Sequence, residues 1–270
     1  MLTVIIPACN EEAYITRCLT ALFASTTTGE CIVVANGCQD ATAARAVALT
    51  QKAAACGWTL TVLNLPQSGK PGALNAGDAA ATHKTRVYLD ADVLVSPPLL
   101  AELAAALAPP RALYATGTPR IASAKSSVTR AYARFWQKLP FPRSNAPGYG
   151  LFATNAMGRA RWGAFPAIIS DDTFIRLHFT PDERLQCTAP YDWPMIEGFN
   201  ALTRVRRRQD AGVREITRLY PRLMQNEAKP RLPLPRLLWL TLSDPAGFAT
   251  YAAVAIATRL TRATGWTRGR

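Results

Sequence analysis

Histidine is scarce in this 270-residue chain, with only His83 and His178, and none of the six cysteines is spaced as CxxC. A zinc cluster of Cys and His ligands is thereby excluded. No GxGxxG and no GxxxxGK[ST] occurs, which disfavours a dehydrogenase-type dinucleotide fold and a P-loop. No apolar run reaches the roughly 18–20 residues needed to span a bilayer. Met1 leads straight into a strand-like run without a basic n-region, so no signal peptide is expected. Cys9, Cys18, Cys31, Cys38, Cys56 and Cys187 then read as reduced thiols of a cytoplasmic protein.

What is present is a folded, basic chain. Hydrophobic residues make up 49% and charged residues 18%, which suits a globular core. The formal charge is +13, and it is unevenly spread: residues 1–135 carry 11 basic and 8 acidic side chains, residues 136–270 carry 20 and 10. A basic half can face nucleic acid, an anionic membrane or phosphorylated substrates. No nucleic-acid module is recognisable, so nucleic acid is not expected as a partner.

The first half alternates short β-branched runs with helical stretches. Leu2–Ile6, Cys31–Ala35, Trp58–Leu63 and Arg86–Leu89 read as buried strands. Asn10 is placed to cap a helix opening with Glu11-Glu12, and Asp40 to cap one from about residue 41 to 56. Pro71 lies near the start of a further helix. Strands separated by helices imply βαβ units and a mostly parallel sheet, with ligands at the carboxyl ends of the strands. Pro7–Glu11, Asn36–Asp40 and Asp90–Asp92 all follow strand ends and should meet in one crevice. Beyond residue 110 the alternation weakens, and residues 140–150 and 181–194 read as long loops on the acceptor side.

Three segments carry chemistry. Asp90-Ala91-Asp92 leaves a strand with two carboxylates that can point into a crevice and hold a hard divalent cation against diphosphate oxygens. Asp171-Asp172 pairs adjacent carboxylates after Ile168-Ile169; one can act as a general base, or either can cap a helix. Gly69-Lys70-Pro71-Gly72 opens a helix, where Lys70 can reach a diphosphate. Arg204, Arg206, Arg207 and Arg208 form a basic cluster that is either a solvated helix face or a phosphate site. His178, six residues after Asp172, lies off that residue's helical face.

Taken in order, Val4-Ile5-Ile6-Pro7-Ala8-Cys9-Asn10-Glu11-Glu12, Val33-Val34-Ala35-Asn36-Gly37-Cys38-Gln39-Asp40, Gly69 to Gly77, Leu89-Asp90-Ala91-Asp92 and Asp171-Asp172 resemble a family-2 glycosyltransferase of the GT-A fold. The resemblance implies an α/β protein with a mostly parallel sheet flanked by helices, and an inverting enzyme using a nucleotide-sugar such as a UDP-sugar. It also implies a Mg²⁺ or Mn²⁺ ion and a saccharide or lipid-linked acceptor. By position it puts Pro7, Ala8, Asn10, Glu11, Asn36, Lys70, Asp90 and Ala91 at the nucleotide. Asp92, with Asp90, would hold the metal, and Asp172, beside Asp171, would be the general base. Cys9 stands where the family often has tyrosine, and Ala35 where it often has aspartate. Arg206-Arg207-Arg208-Gln209 lacks the tryptophan of the processive members' QxxRW, which implies a single addition.

Residues 1–230 are expected to form the catalytic domain and 231–270 an apolar, basic helical appendage. Leu237–Leu242 and Gly247–Ala257 are each too short to span a bilayer. Arg231, Arg236, Arg259, Arg262, Arg268 and Arg270, with Trp239 and Trp266, suit a helix lying in an anionic interface. The competing expectation is a helical hairpin packed on the domain or on a second subunit. At the level of function, the alternative is a catalytically silent GT-A-like scaffold that binds nucleotide or membrane. A nucleotidylyltransferase is disfavoured, because the Gly-rich, Arg-containing loop it needs after the first strand is missing.

Overall fold

The computed structural model describes residues 1–66, 69–228 and 230–260. The chain runs β1 (Leu2–Ala8), α1 (Ile15–Phe23), β2 (Glu30–Asn36), α2 (Thr42–Val47), α3 (Thr50–Ala55), β3 (Thr59–Leu65), α4 (Gly69–Ala80) and β4 (Thr85–Leu89). It continues through β5 (Leu94–Val95), α5 (Leu99–Ala106), β6 (Tyr114–Ile121), α6 (Ser127–Trp136), β7 (Leu151–Thr154), α7 (Ala156–Arg159) and α8 (Asp171–Arg176). The last elements are β8 (Arg184–Trp193), α9 (Phe199–Leu219), α10 (Leu234–Ser243) and α11 (Pro245–Leu260).

One eight-stranded sheet has the order β3-β2-β1-β4-β7-β6-β8-β5. The β3-β2-β1-β4 half is parallel, as the alternation of strands and helices requires. β7 runs antiparallel between β4 and β6, β8 is parallel to β6, and β5 is antiparallel to β8. Because β1 is covered on both faces, its side chains divide by alternation. Val4 and Ile6 join Cys31, Val33 and Leu19 in one cluster, while Ile5 joins Leu74 and Tyr88 in another. At Gly77 a Cβ would drive into the Ile5 side chain, so α4 can lie close on β1 and hold its first turn over the strand ends.

Three local expectations change. Asn10 does not cap a helix: it has φ 58, and its side-chain Oδ1 accepts from the backbone N–H of Gln39 at 2.8 Å. Asn tolerates this left-handed conformation better than most residues, which explains its use in a turn. The expected helix over 41–56 is two short helices, broken at Ala48-Leu49, where Leu49 turns into the core. Much of the expected loop 181–194 is strand β8; its buried Ala189 and Tyr191 supply the reason, and the pairing with β6 shifts register before Pro190, as a missing N–H demands.

At the carboxyl-terminal end, α11 lies against α6 and α9. Asp244 accepts two hydrogen bonds from Arg134 at 2.8 Å and one from Lys138 at 3.3 Å. Phe135 packs on Phe248 and Tyr251, and the Arg206 guanidinium lies 4.5 Å from the centre of the Tyr251 ring. No described helix is long and apolar enough to cross a membrane. Arg262, Trp266, Arg268 and Arg270 lie outside the described residues.

Candidate active site

β1 and β4 end side by side, and the antiparallel β7 enters from the same edge, with Leu89 opposite Leu151. The backbone N–H of Asp90 donates to the carbonyl of Gly150 at 2.9 Å, and that of Val93 donates back to the Asp90 carbonyl at 3.1 Å. Asp90 is therefore fixed at the mouth of the crevice by its own main chain. The crevice is lined by Pro7, Lys70, Asp90, Asp171 and Asp172, with Leu74, Tyr88, Leu89, Gly150 and Phe152 as its apolar wall and floor.

Lys70 links the two acidic segments. Its Nζ is 2.9 Å from Asp90 Oδ1 and 3.2 Å from Asp171 Oδ2. The turn that presents it is tied down by Asn36, whose side-chain amide donates to the carbonyl of Gly69 at 2.8 Å; Gly69 has φ 70, where glycine carries no steric penalty. Enclosure works against the ammonium, but Asp171, Asp90 and Asp172 outweigh it and raise its pKa. Burial pushes the Asp171 carboxyl up to about 6, with Lys70 pulling it down and Asp172 and Asp90 adding to the rise.

The two adjacent carboxylates open α8, where the helix N-terminus favours negative charge. They differ in surroundings. Asp171 is buried, 5% exposed, and committed to Lys70. Asp172 is half-exposed on the crevice wall, with Oδ1 accepting from the Thr173 backbone at 2.6 Å. Behind them Phe174, Ile175, Leu177 and Phe179 are buried, and Arg176 forms a paired contact with Glu227 at 2.7 and 3.1 Å.

The remaining predicted positions distribute as follows. Pro7 lies in the crevice lining, while Ala8 and Ala91 are buried in the main core cluster. Asn10 and Glu11 belong to a loop laced to the next one: Glu11 N–H donates to Thr42 Oγ1 at 2.8 Å and Glu12 N–H to Asp40 Oδ2 at 3.1 Å. Asp92 is half-exposed two residues beyond Asp90. His178 turns Nδ1 to the Phe174 carbonyl at 2.9 Å and packs on Phe174. Of the basic cluster, Arg206 is used against Tyr132 and Tyr251.

Carboxylate oxygens are what Mg²⁺ and Mn²⁺ prefer, and Asp90 and Asp92 supply them just after β4, with the Lys70 ammonium occupying one oxygen of Asp90. Among the described residues no group of three or more His, Cys, Asp or Glu could enclose an ion. The arrangement fits an ion that takes most of its ligands from water and diphosphate, and does not fit an all-protein cage. Gly150 and Phe152 were not singled out in the sequence; the Pro- and Gly-containing stretch ending at Gly150 was the signal for the first, and Phe152 carried none.

The Glycosyl transferase family 2 profile matches residues 3–205. Several solved structures share the fold. A mannosyltransferase from Pyrobaculum calidifontis, in complex with GDP-Man and Mn²⁺, aligns at 21% identity and TM-score 0.57, covering 97% of this chain and 76% of its own. Residues 1–349 of TarS from S. aureus, in complex with UDP, align at 14% identity and TM-score 0.54, covering 96% and 91%. Glucosyl-3-phosphoglycerate synthase from Mycobacterium tuberculosis, in complex with Mn²⁺, UDP and glucosyl-3-phosphoglycerate, aligns at 20% identity and TM-score 0.53, covering 81% and 79%. No curated protein matches the sequence.

Proposed function

This chain belongs to glycosyl transferase family 2 and is a glycosyltransferase, and on that premise we propose that it moves a sugar from a UDP-sugar to an acceptor hydroxyl with inversion, in a single addition and not as a processive polymer synthase. The observation that carries the reading is Lys70 held between Asp90 and Asp171 beside the half-exposed Asp172, in one crevice at the strand ends. Such a crevice supplies a base, a cation and a carboxylate pair within reach of one bound diphosphate.

Asp172 takes the proton of the acceptor hydroxyl as its oxygen attacks the anomeric carbon. The bond from that carbon to the diphosphate breaks on the opposite face, and its electron pair leaves with the diphosphate. Lys70 offers its charge to the departing group, and Asp171 keeps Lys70 in place. Asp90 and Asp92 would hold a Mg²⁺ or Mn²⁺ ion, which when bound neutralises charge on the diphosphate. Mn²⁺ in two of the related structures supports that choice of metal. Pro7, Ala8, Asn10, Glu11, Asn36 and Ala91 form the nucleotide end.

The acceptor is a saccharide or a lipid-linked hydroxyl compound, used by a catalytic domain over residues 1–230 that meets a membrane peripherally, at its cytoplasmic face, through residues 233–270. The test is a panel of nucleotide-sugars with and without Mn²⁺, read by release of nucleoside diphosphate and by the anomeric configuration of the product. Inverted product from a UDP-sugar supports the reading. Failure of every donor to bind or turn over overturns it in favour of a silent scaffold.

A further inference from the structure

The two carboxyl-terminal helices bury different faces, and the difference assigns them different tasks. α11 turns Gly247, Val254 and Thr258 inward, and the Asp244 contacts to Arg134 and Lys138 pin its start to α6. α10 has only Leu240 fully buried. Its Leu234, Leu238 and Leu242 are 74%, 63% and 82% exposed, and they recur every four residues, so they form one ridge on one side of the helix. Trp239 beside them is 54% exposed, and the Arg236 guanidinium lies 4.5 Å from its ring centre.

We infer that the outer ridge of α10 inserts into the interface of an anionic bilayer, while α11, packed on α6 and α9, fixes its orientation. This deepens, and rests on, the reading of residues 233–270 as the membrane contact. Charge selects the occupant. Arg231 lies just before α10 and Arg236 within it, no Asp or Glu occurs from 228 to 243, and Asp244 is already matched by Arg134 and Lys138. A basic helix with leucines and a tryptophan on one side is the composition that lies in a headgroup layer, the apolar side chains below and arginines at the phosphates. A second copy fits less well. The same arginines would face one another, and a specific protein interface buries about 800 Å² per partner over some 20–30 residues, far beyond one ridge of three leucines and the tryptophan beside it. The length excludes spanning.

The test uses the full-length protein and sedimented vesicles of phosphatidylcholine alone or with phosphatidylglycerol. Binding is expected to the anionic vesicles, to weaken in high salt, and to fall about tenfold or more in Leu238→Glu/Leu242→Glu. Nucleotide binding and thermal melting of that variant should match the parent, which separates lost membrane contact from lost fold or lost donor site. No binding of the parent to either vesicle overturns both the inference and the membrane reading. Equal binding by parent and variant overturns the assignment to α10 alone. A concentration-dependent dimer that the variant disperses, without vesicle binding, overturns it in favour of self-association. None of these outcomes touches the donor assay.

Discussion

The ammonium of Lys70 lies 3.2 Å from the buried carboxylate of Asp171, so the helix that follows β3 and the helix that follows the long excursion after β7 are joined by one ion pair. The same ammonium reaches Asp90 at 2.9 Å, at the end of β4. Three separate segments thus converge on one positive charge, and a bound diphosphate would meet that charge already aligned.

Replacing Lys70 with alanine leaves Asp171 buried beside Asp172 and Asp90 with nothing to offset them. The turnover number is expected to fall by about 100-fold, the size seen on removal of one preorganised electrostatic donor. Arginine should not restore it, because a planar fork cannot replace a compact ammonium between two carboxylates. Steady-state kinetics of both variants check this.

Asp172→Asn should lower kcat by about 10²–10⁴-fold while donor affinity changes little, since the base acts on the acceptor proton. Calorimetric titration with UDP, set beside turnover, separates the two quantities. Turnover close to the parent's would remove Asp172 from the role.

Acidification should act on activity and on this group's contribution to stability in opposite directions. The Asp171 carboxyl is raised to about 6 in the folded protein, mainly by burial. The folded state therefore holds this proton more tightly than the unfolded chain, where a carboxyl titrates near 4. Through this group alone, folding is favoured more as pH falls from about 6 to 4. Protonation over the same window releases Lys70, so kcat/KM should drop below pH 6 before the protein melts more easily. A pH–rate profile run beside thermal melts shows whether the two diverge, and Asp171→Asn should lose this limb of the profile.

Gly212→Ala tests the support behind the carboxylates. A Cβ on this residue of α9 would come within 2.9 Å of the Ser170 Cβ and 3.2 Å of the Ile169 Cβ, and would overlap the Ser170 hydroxyl. Alanine favours a helix interior by about 1 kcal/mol over glycine, but forcing α9 away from the segment before Asp171 should cost about 1–3 kcal/mol. A lowered melting temperature with a reduced kcat is expected. An unchanged kcat would show that α9 does not position the pair.

Chelation should abolish turnover, and Mn²⁺ should restore it. In Asp92→Asn the Mn²⁺ concentration for half-maximal activity should rise by about tenfold or more, as expected when one of few carboxylate ligands is lost. A titration of activity against Mn²⁺ reads the shift.

The parallel half of the fold and the family were legible in the sequence alone. Fully buried strands such as Cys31 to Ala35 declare themselves by unbroken apolar runs, and motifs at strand ends must converge because a βαβ unit returns each strand in the same direction. What it could not determine was where long-range pairing overrode local signals. Arg184–Trp193 reads as loop because of Pro190, yet pairing with β6 and the burial of Tyr191 make it a strand. Asp171 and Asp172 are equivalent by chemistry and neighbours in sequence; only packing placed one against Lys70 and left the other half-exposed. The carboxyl-terminal segment read in sequence as two short apolar pieces with basic flanks, suited equally to a membrane interface or to packing on the domain. Contacts with α6 and α9, more than a hundred and some fifty residues earlier, decided that α11 faces inward and that the leucine ridge of α10 faces out.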